Sequence, residues 1–173
     1  MSIKPDLTVA AIVERDGQFL MVEERVGNRM VFNQPAGHVE RGEQIIDAVI
    51  RETLEETAWI FRPSALVGIY FWEQPERNRA FLRFAFSGTV EEHDPHRMLD
   101  RGIERAVWMS HEQLVIRAGR LRSPMVLRGI EDFQSGRQFP LEILRGLIPD
   151  LSNLTRIETR ARVTDLTSGS SRV

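Results

Sequence analysis

The stretch GHVERGEQIIDAVIRETLEETAW, residues 37–59, sets Glu52, Glu55 and Glu56 within five positions and then runs on into Ala58-Trp59. Its apolar spacing predicts a helix from Glu43 to about Thr57, with Ile46, Ile50, Thr53, Leu54 and Thr57 on one side at a 3.6-residue period. Positions i, i+3 and i+4 share a face, so the three glutamates project together from roughly the opposite side. A solvated acidic face is the ordinary account of such a cluster. Two features weigh against it. Like charges at this spacing cost roughly 0.2–0.5 kcal/mol per pair, and no lysine on that face offsets them. The acids also crowd the helix C-terminus, where the macrodipole disfavours negative charge. A hard divalent cation such as Mg²⁺ answers both objections. It takes carboxylate and carbonyl oxygens, and its remaining positions are commonly completed by water and substrate phosphates.

Outward from this helix, the chain reads as alternating strands and helices. LTVAAIVER (residues 7–15) and QFLMVEE (residues 18–24) flank Asp16-Gly17, a hairpin signal. A polar loop over residues 25–29 leads to MVFNQPAGHVE, a short strand ending at Pro35 and Gly37. ALVGIYFWE (65–73) and AFLRFAFSGTV (80–90) are predicted long strands, and AVWM (106–109) a short one. Ser110 is a candidate cap for a helix over 111–118, and Ser123-Pro124 announces another running to about Gln134. The expected class is a mixed α/β domain over residues 1–148, followed by a polar, Ser/Gly-rich tail at 149–173 that is expected to be partly disordered.

Composition narrows the function classes. The chain has 173 residues, 42% hydrophobic and 28% charged, with net charge −2. A pI near 6.1 does not suit a protein that wraps a nucleic-acid polymer. There is no cysteine, so disulfides, thiolate zinc sites and cysteine nucleophiles are excluded. The N-terminus lacks a signal-peptide layout, and no stretch approaches the roughly 20 apolar residues that span a bilayer. A cytoplasmic protein without a membrane partner is the expectation, as a monomer or homodimer.

The helix also carries a family signature. Gly37, Glu43, Arg51-Glu52 and Glu55-Glu56 fit G-x5-E-x7-R-E-U-x-E-E-x-G-U, with U aliphatic, so the chain resembles the Nudix hydrolases. The resemblance implies an α/β/α sandwich with a mixed sheet and a catalytic loop–helix–loop. It also implies that Glu52, Glu55, Glu56 and the Ala36 carbonyl hold Mg²⁺, for which Mn²⁺ can substitute. Glu43 and Arg51 become a pair that fixes the loop on the helix. A carboxylate must accept a proton from the attacking water. Glu52 is one candidate base and Glu104, in DRGIERAVWM outside the box, is another; a loop glutamate without a role is the alternative for Glu104. The sequence departs from the box at three places. Ala58 stands where glycine is expected, and Thr53 and Trp59 replace aliphatic residues.

NQPAGHVE, FLRFAF, LRSP and QSGRQFPLE further resemble one bacterial branch of the family, the phosphatase NudJ type. That likeness implies hydrolysis of nucleoside tri- and diphosphates with release of orthophosphate, and action on hydroxymethylpyrimidine diphosphate. Trp72 is the candidate for ring stacking, with core packing as its alternative. Arg25, Arg29 and Arg79 are candidate phosphate anchors, since arginine holds phosphate oxygens bidentately; surface solubility explains loop arginines equally well. A non-catalytic nucleotide-binding module and a pyrophosphohydrolase of another nucleoside-diphosphate derivative remain alternatives.

Overall fold

The computed structural model describes residues 4–145. The predicted tail at 149–173 lies outside the described residues. Strand β1 (Asp6–Arg15) turns at Asp16-Gly17 into β2 (Gln18–Val26). Both turn residues have positive φ, 52° and 75°, as a two-residue hairpin of the I′ type demands. β3 (Arg29–Asn33) and β4 (Ala36–His38) follow, then α1 (Ile45–Thr57), β5 (Trp59–Gln74) and β6 (Arg79–His93). The described chain continues through β7 (Ile103–Ser110), α2 (His111–Ile116) and α3 (Met125–Gln134).

β1 pairs antiparallel with β4 and parallel with β6, while β5 lies antiparallel on β6. β2 leaves β1 after the hairpin and pairs with β3 and β7. The mixed sheet thus splits into two halves that diverge from the β1–β2 turn. Alternating side chains of β1 feed both faces, as expected for a central strand. Val9, Ala11 and Val13 pack with Ala48 and Val49 of α1, whereas Ile12 packs with Leu114 of α2 and Val126 and Ile130 of α3. Helices on opposite faces make an α/β/α sandwich. Among the described residues no helix is long and apolar enough to cross a membrane.

The acidic helix differs from its sequence reading in the face it buries. Ala48, Val49, Glu52, Thr53, Glu56 and Thr57 are buried, and Ile46, Ile50 and Leu54 are only partly so. Tertiary packing overrides the aliphatic stripe: the small Ala48 and Val49 allow close approach to β1. Thr53 and Thr57 fit because their hydroxyls donate back to the carbonyls of Val49 and Thr53, closing their polar groups within the helix.

The helix end without glycine also has an explanation. Ala58 adopts the left-handed conformation, φ 59° and ψ 15°, and its N–H donates to the Leu54 carbonyl at 2.9 Å. Two further carbonyls are closed from outside, with Asp94 N–H donating to Ala58 O and Asp100 N–H donating to Glu55 O, each at 3.0 Å. Trp59 then begins β5 at once, and its ring meets Trp108 edge-on, with the Arg15 guanidinium 4.8 Å from one ring and 4.9 Å from the other. Left-handed alanine costs roughly 1 kcal/mol that glycine avoids. Ala58→Gly is therefore expected to leave the melting temperature unchanged or raise it slightly. A clear fall in a thermal melt would mean that the buried methyl outweighs the relief.

Several boundaries differ from expectation. β5 and β6 are each extended at both ends, because they pair with one another along most of their length. The helix after Ser110 ends at Ile116 rather than near 118, although Ser110 does form a capping box with Gln113. Ser123 makes no side-chain cap on α3; its hydroxyl is buried without a partner.

Candidate active site

The loop between β4 and α1 is held by one arginine. Arg51 Nε donates to Glu43 Oε1 at 2.7 Å and Nη2 to Glu43 Oε2 at 2.9 Å, a two-pronged ion pair. Its Nη1 donates to Glu52 Oε1 and Glu55 Oε2, both at 2.9 Å, and Nη2 reaches the His38 carbonyl at 3.0 Å. Glu43 also accepts from the Glu40 N–H at 3.0 Å. Arg51's hydrogen bond holds Glu43 below the usual carboxylate range, and its carboxylate partners, Glu43 first, push Arg51 further up. The pair ties both ends of the loop to the helix.

Glu52 and Glu56, one helical turn apart, face an open cleft of about 940 Å³ between the two halves of the sheet. Ala36, Gly37 and His38 line the cleft beside them. Glu56 Oε2 accepts from the Ala36 N–H at 2.8 Å. Burial pushes Glu56 well above the ordinary carboxylate range, reinforced by the negative charges of Glu52, Glu24 and Asp100 and opposed by the Ala36 N–H. Glu52 is raised mainly by burial, against the pull of Arg51. Gly37 is required by closeness: a Cβ there would coincide with the Glu52 carboxyl group. Glu55 is the more exposed acid, tied to Arg51, and does not line the cleft.

The opposite wall is aromatic and basic. Trp72 and Phe81, registered on β5 and β6, stack at 5.5 Å between ring centroids. The Arg79 guanidinium lies 4.8 Å from the Phe81 ring centroid and bonds Asp6 at 2.6 Å. Arg29 lines the cleft and donates to the Gly119 carbonyl at 2.9 Å. Of the candidate residues, the cleft therefore brings together Ala36, Glu52, Glu56, Arg29, Trp72 and Arg79. Glu104 is exposed on β7 and Arg25 is exposed on β2, and neither lines the cleft. Glu104 falls where the β2–β7 register shifts, so its position could not be read from strand alternation.

Two cleft residues were not singled out from the sequence. Glu24 on β2 carries an Oε1 that is buried without a hydrogen-bond partner, 3.7 Å from Arg122 Nε. Arg83 on β6 is 6% exposed, and burial above all pulls its guanidinium down to about 10. The signal for Arg83 was present in FLRFAF, a single charge inside an apolar strand. Glu24 had a weaker one, since both faces of QFLMVEE are apolar.

This loop–helix–loop, set on an α/β/α sandwich with its acids at a cleft, defines a Nudix-type domain. A model of the NUDIX domain matches residues 4–128, and the chain belongs to the Nudix hydrolase family. It is a hydrolase. The phosphatase NudJ of Escherichia coli strain K12 is 38% identical over 141 residues, covering 82% of this chain and 91% of that protein. A NUDIX hydrolase from Nitrosomonas europaea superposes with a TM-score of 0.83 at 45% identity, covering 85% of this chain and all of its own. A Caenorhabditis elegans Ap4A hydrolase shares the fold, with a TM-score of 0.55 at 19% identity over 76% of this chain and 98% of that one.

Nudix hydrolases generally use a divalent metal. The donor chemistry here fits one: oxygen ligands on two buried carboxylates, with a third, unpartnered carboxylate oxygen of Glu24 in the same cleft. Among the described residues no three acidic or imidazole groups already converge as a metal site. Arg51 holds one oxygen each of Glu52 and Glu55.

Proposed function

We propose that the chain is a Mg²⁺-dependent phosphohydrolase of nucleoside tri- and diphosphates that releases orthophosphate, and that it also accepts hydroxymethylpyrimidine diphosphate. The observation that carries this reading is a single cleft with Glu52 and Glu56 buried on one wall and the Trp72–Phe81 stack with Arg79 on another. The carboxylates suit a hard cation, and the aromatic wall suits a base. The likeness to phosphatase NudJ across most of both chains supports the bond class.

In this reading Glu52, Glu55, Glu56 and the Ala36 carbonyl hold the ion, and Mn²⁺ serves in its place. When bound, the ion neutralises diphosphate oxygens and lowers the pKa of a bound water. The protein's own contribution is positioning and proton transfer. Arg51 and Glu43 keep the helix and loop in register. Glu52 is the candidate base, because its raised proton affinity brings it closer to the working pH than an exposed carboxylate. Trp72 stacks against the base, and Arg79 and Arg29 border the same space.

The test is product release from a panel of nucleoside tri- and diphosphates and hydroxymethylpyrimidine diphosphate, with Mg²⁺ and with Mg²⁺ removed by a chelator. Orthophosphate release that disappears with the chelator and returns with added ion is expected. Pyrophosphate release would correct the bond attacked. Nucleotide binding without turnover of any compound would replace the hydrolase reading for this chain with that of a binding module.

A further inference from the structure

The cleft floor holds several buried polar atoms that the site described so far does not use. Thr8 Oγ1, Arg83 Nε and Ser123 Oγ are each buried without a hydrogen-bond partner, and all three residues line this cleft. Buried polar atoms are paired in folded proteins far more often than not. Orphans gathered in one cavity mark where a ligand's polar groups belong. Arg83 is the most telling. It lies on β6 between Thr8 of β1 and Tyr70 of β5, and it is 6% exposed. Its one side-chain bond, from Nη1 to Asn33 Oδ1, is a long 3.5 Å, and no carboxylate among the described residues lies within ion-pair distance. Arg122 approaches the same floor from the segment before α3, with its Nε 3.7 Å from Glu24 and its side chain about a third exposed.

A buried guanidinium without a carboxylate is unfavourable unless an anion completes it. The fork geometry of arginine selects a planar or tetrahedral oxyanion. Arg83 also follows Phe81 by two positions on β6, hence on the same face of the strand and about 7 Å further along. It therefore stands beside the aromatic wall, within the influence of Glu24 first, then of Arg122 and Glu56, although no carboxylate among the described residues pairs with it directly. A phosphate between ring and carboxylates falls within its reach.

We propose that Arg83 and Arg122, with the hydroxyls of Thr8 and Ser123, form the anion subsite that grips the phosphate oxygens of the substrate. Arg25, Arg29 and Arg79, expected in loops, stand instead on β2 and at the first positions of β3 and β6, and they take no part in that grip. Arg29 and Arg79 are already engaged by the Gly119 carbonyl and by Asp6, and Arg25 lies outside the cleft. This assignment rests on the proposed substrate class, and it also refines it by naming the groups that hold the phosphates.

The experiment is calorimetric titration of a nucleoside diphosphate, and separately of inorganic orthophosphate, into the metal-free protein. Wild type is compared with Arg83→Lys and Arg122→Gln, each checked for folding by circular dichroism and thermal melting. At least tenfold weaker binding of both ligands is expected in each folded variant. Arg122 is the safer variant because it is not in the core; should Arg83→Lys unfold, Arg122→Gln alone decides. Affinities within twofold of wild type in the folded variants would overturn the proposal and leave these arginines as structural groups. Wild type that binds diphosphate in an arginine-dependent way but turns over none of the panel would sink the hydrolase reading while leaving the subsite intact.

Discussion

Glu56→Gln is expected to lower turnover by at least two orders of magnitude while the protein becomes no less stable. Glu56 is 9% exposed, and its carboxylate faces the cleft from the last turns of α1. An amide keeps an oxygen for the Ala36 N–H but loses the negative charge that a metal ion requires. Stability should move the other way in the metal-free protein. Burial raises the proton affinity of Glu56 above its unfolded value, so its favourable contribution is complete at low pH and fades as pH rises through the folded-state value. The variant escapes that loss. Its melting temperature should therefore match wild type near pH 4 and exceed it increasingly toward neutrality. Added Mg²⁺ should raise the melting temperature of wild type and leave the variant unmoved. Near-wild-type activity in Glu56→Gln would remove this residue from the site.

Gly37→Ala should separate activity from folding in a second way. The added methyl would occupy the place of the Glu52 carboxyl group. Nothing in the backbone forbids alanine here, since Gly37 does not have a positive φ. What must yield is the end of a flexible side chain. The fold should survive with a melting temperature close to wild type, because Arg51 still holds Glu43 and Glu55. Turnover should fall by about a hundredfold, the typical loss when a catalytic group is displaced by roughly 1 Å. Steady-state kinetics beside a thermal melt decides it; unchanged kcat would show that the position of Glu52 is not critical.

Much of this architecture was legible in the chain because local signals agreed with one another. The Asp16-Gly17 turn, the box helix and the Ser110 cap each rest on near neighbours. The left-handed Ala58 could be suspected from the missing glycine, although its support by Asp94 and Asp100 could not. Those residues come from a loop some forty positions away. The cleft was harder for the same reason. It exists because β1 runs parallel to β6 while β2 diverges to pair with β3 and β7, pairings between residues far apart in sequence. Strand alternation says that Phe81 and Arg83 share a face, but not which face meets the acids. Arg25, Arg29 and Arg79 were consequently the arginines named as phosphate candidates, and Arg83 in the middle of an apolar strand was passed over. Glu104 was a candidate only as an acid outside the box, and the β2–β7 irregularity leaves it on the surface.

The most direct measurement is a crystal structure of the protein with Mn²⁺ and a non-hydrolysable nucleoside diphosphate analogue, with the ion located by anomalous scattering. The ion should sit against Glu52 and Glu56 beside Ala36, with the analogue's phosphates bridging it to Arg83 and the base against Trp72. An ion bound elsewhere, or an analogue whose phosphates do not enter this cleft, would contradict the account.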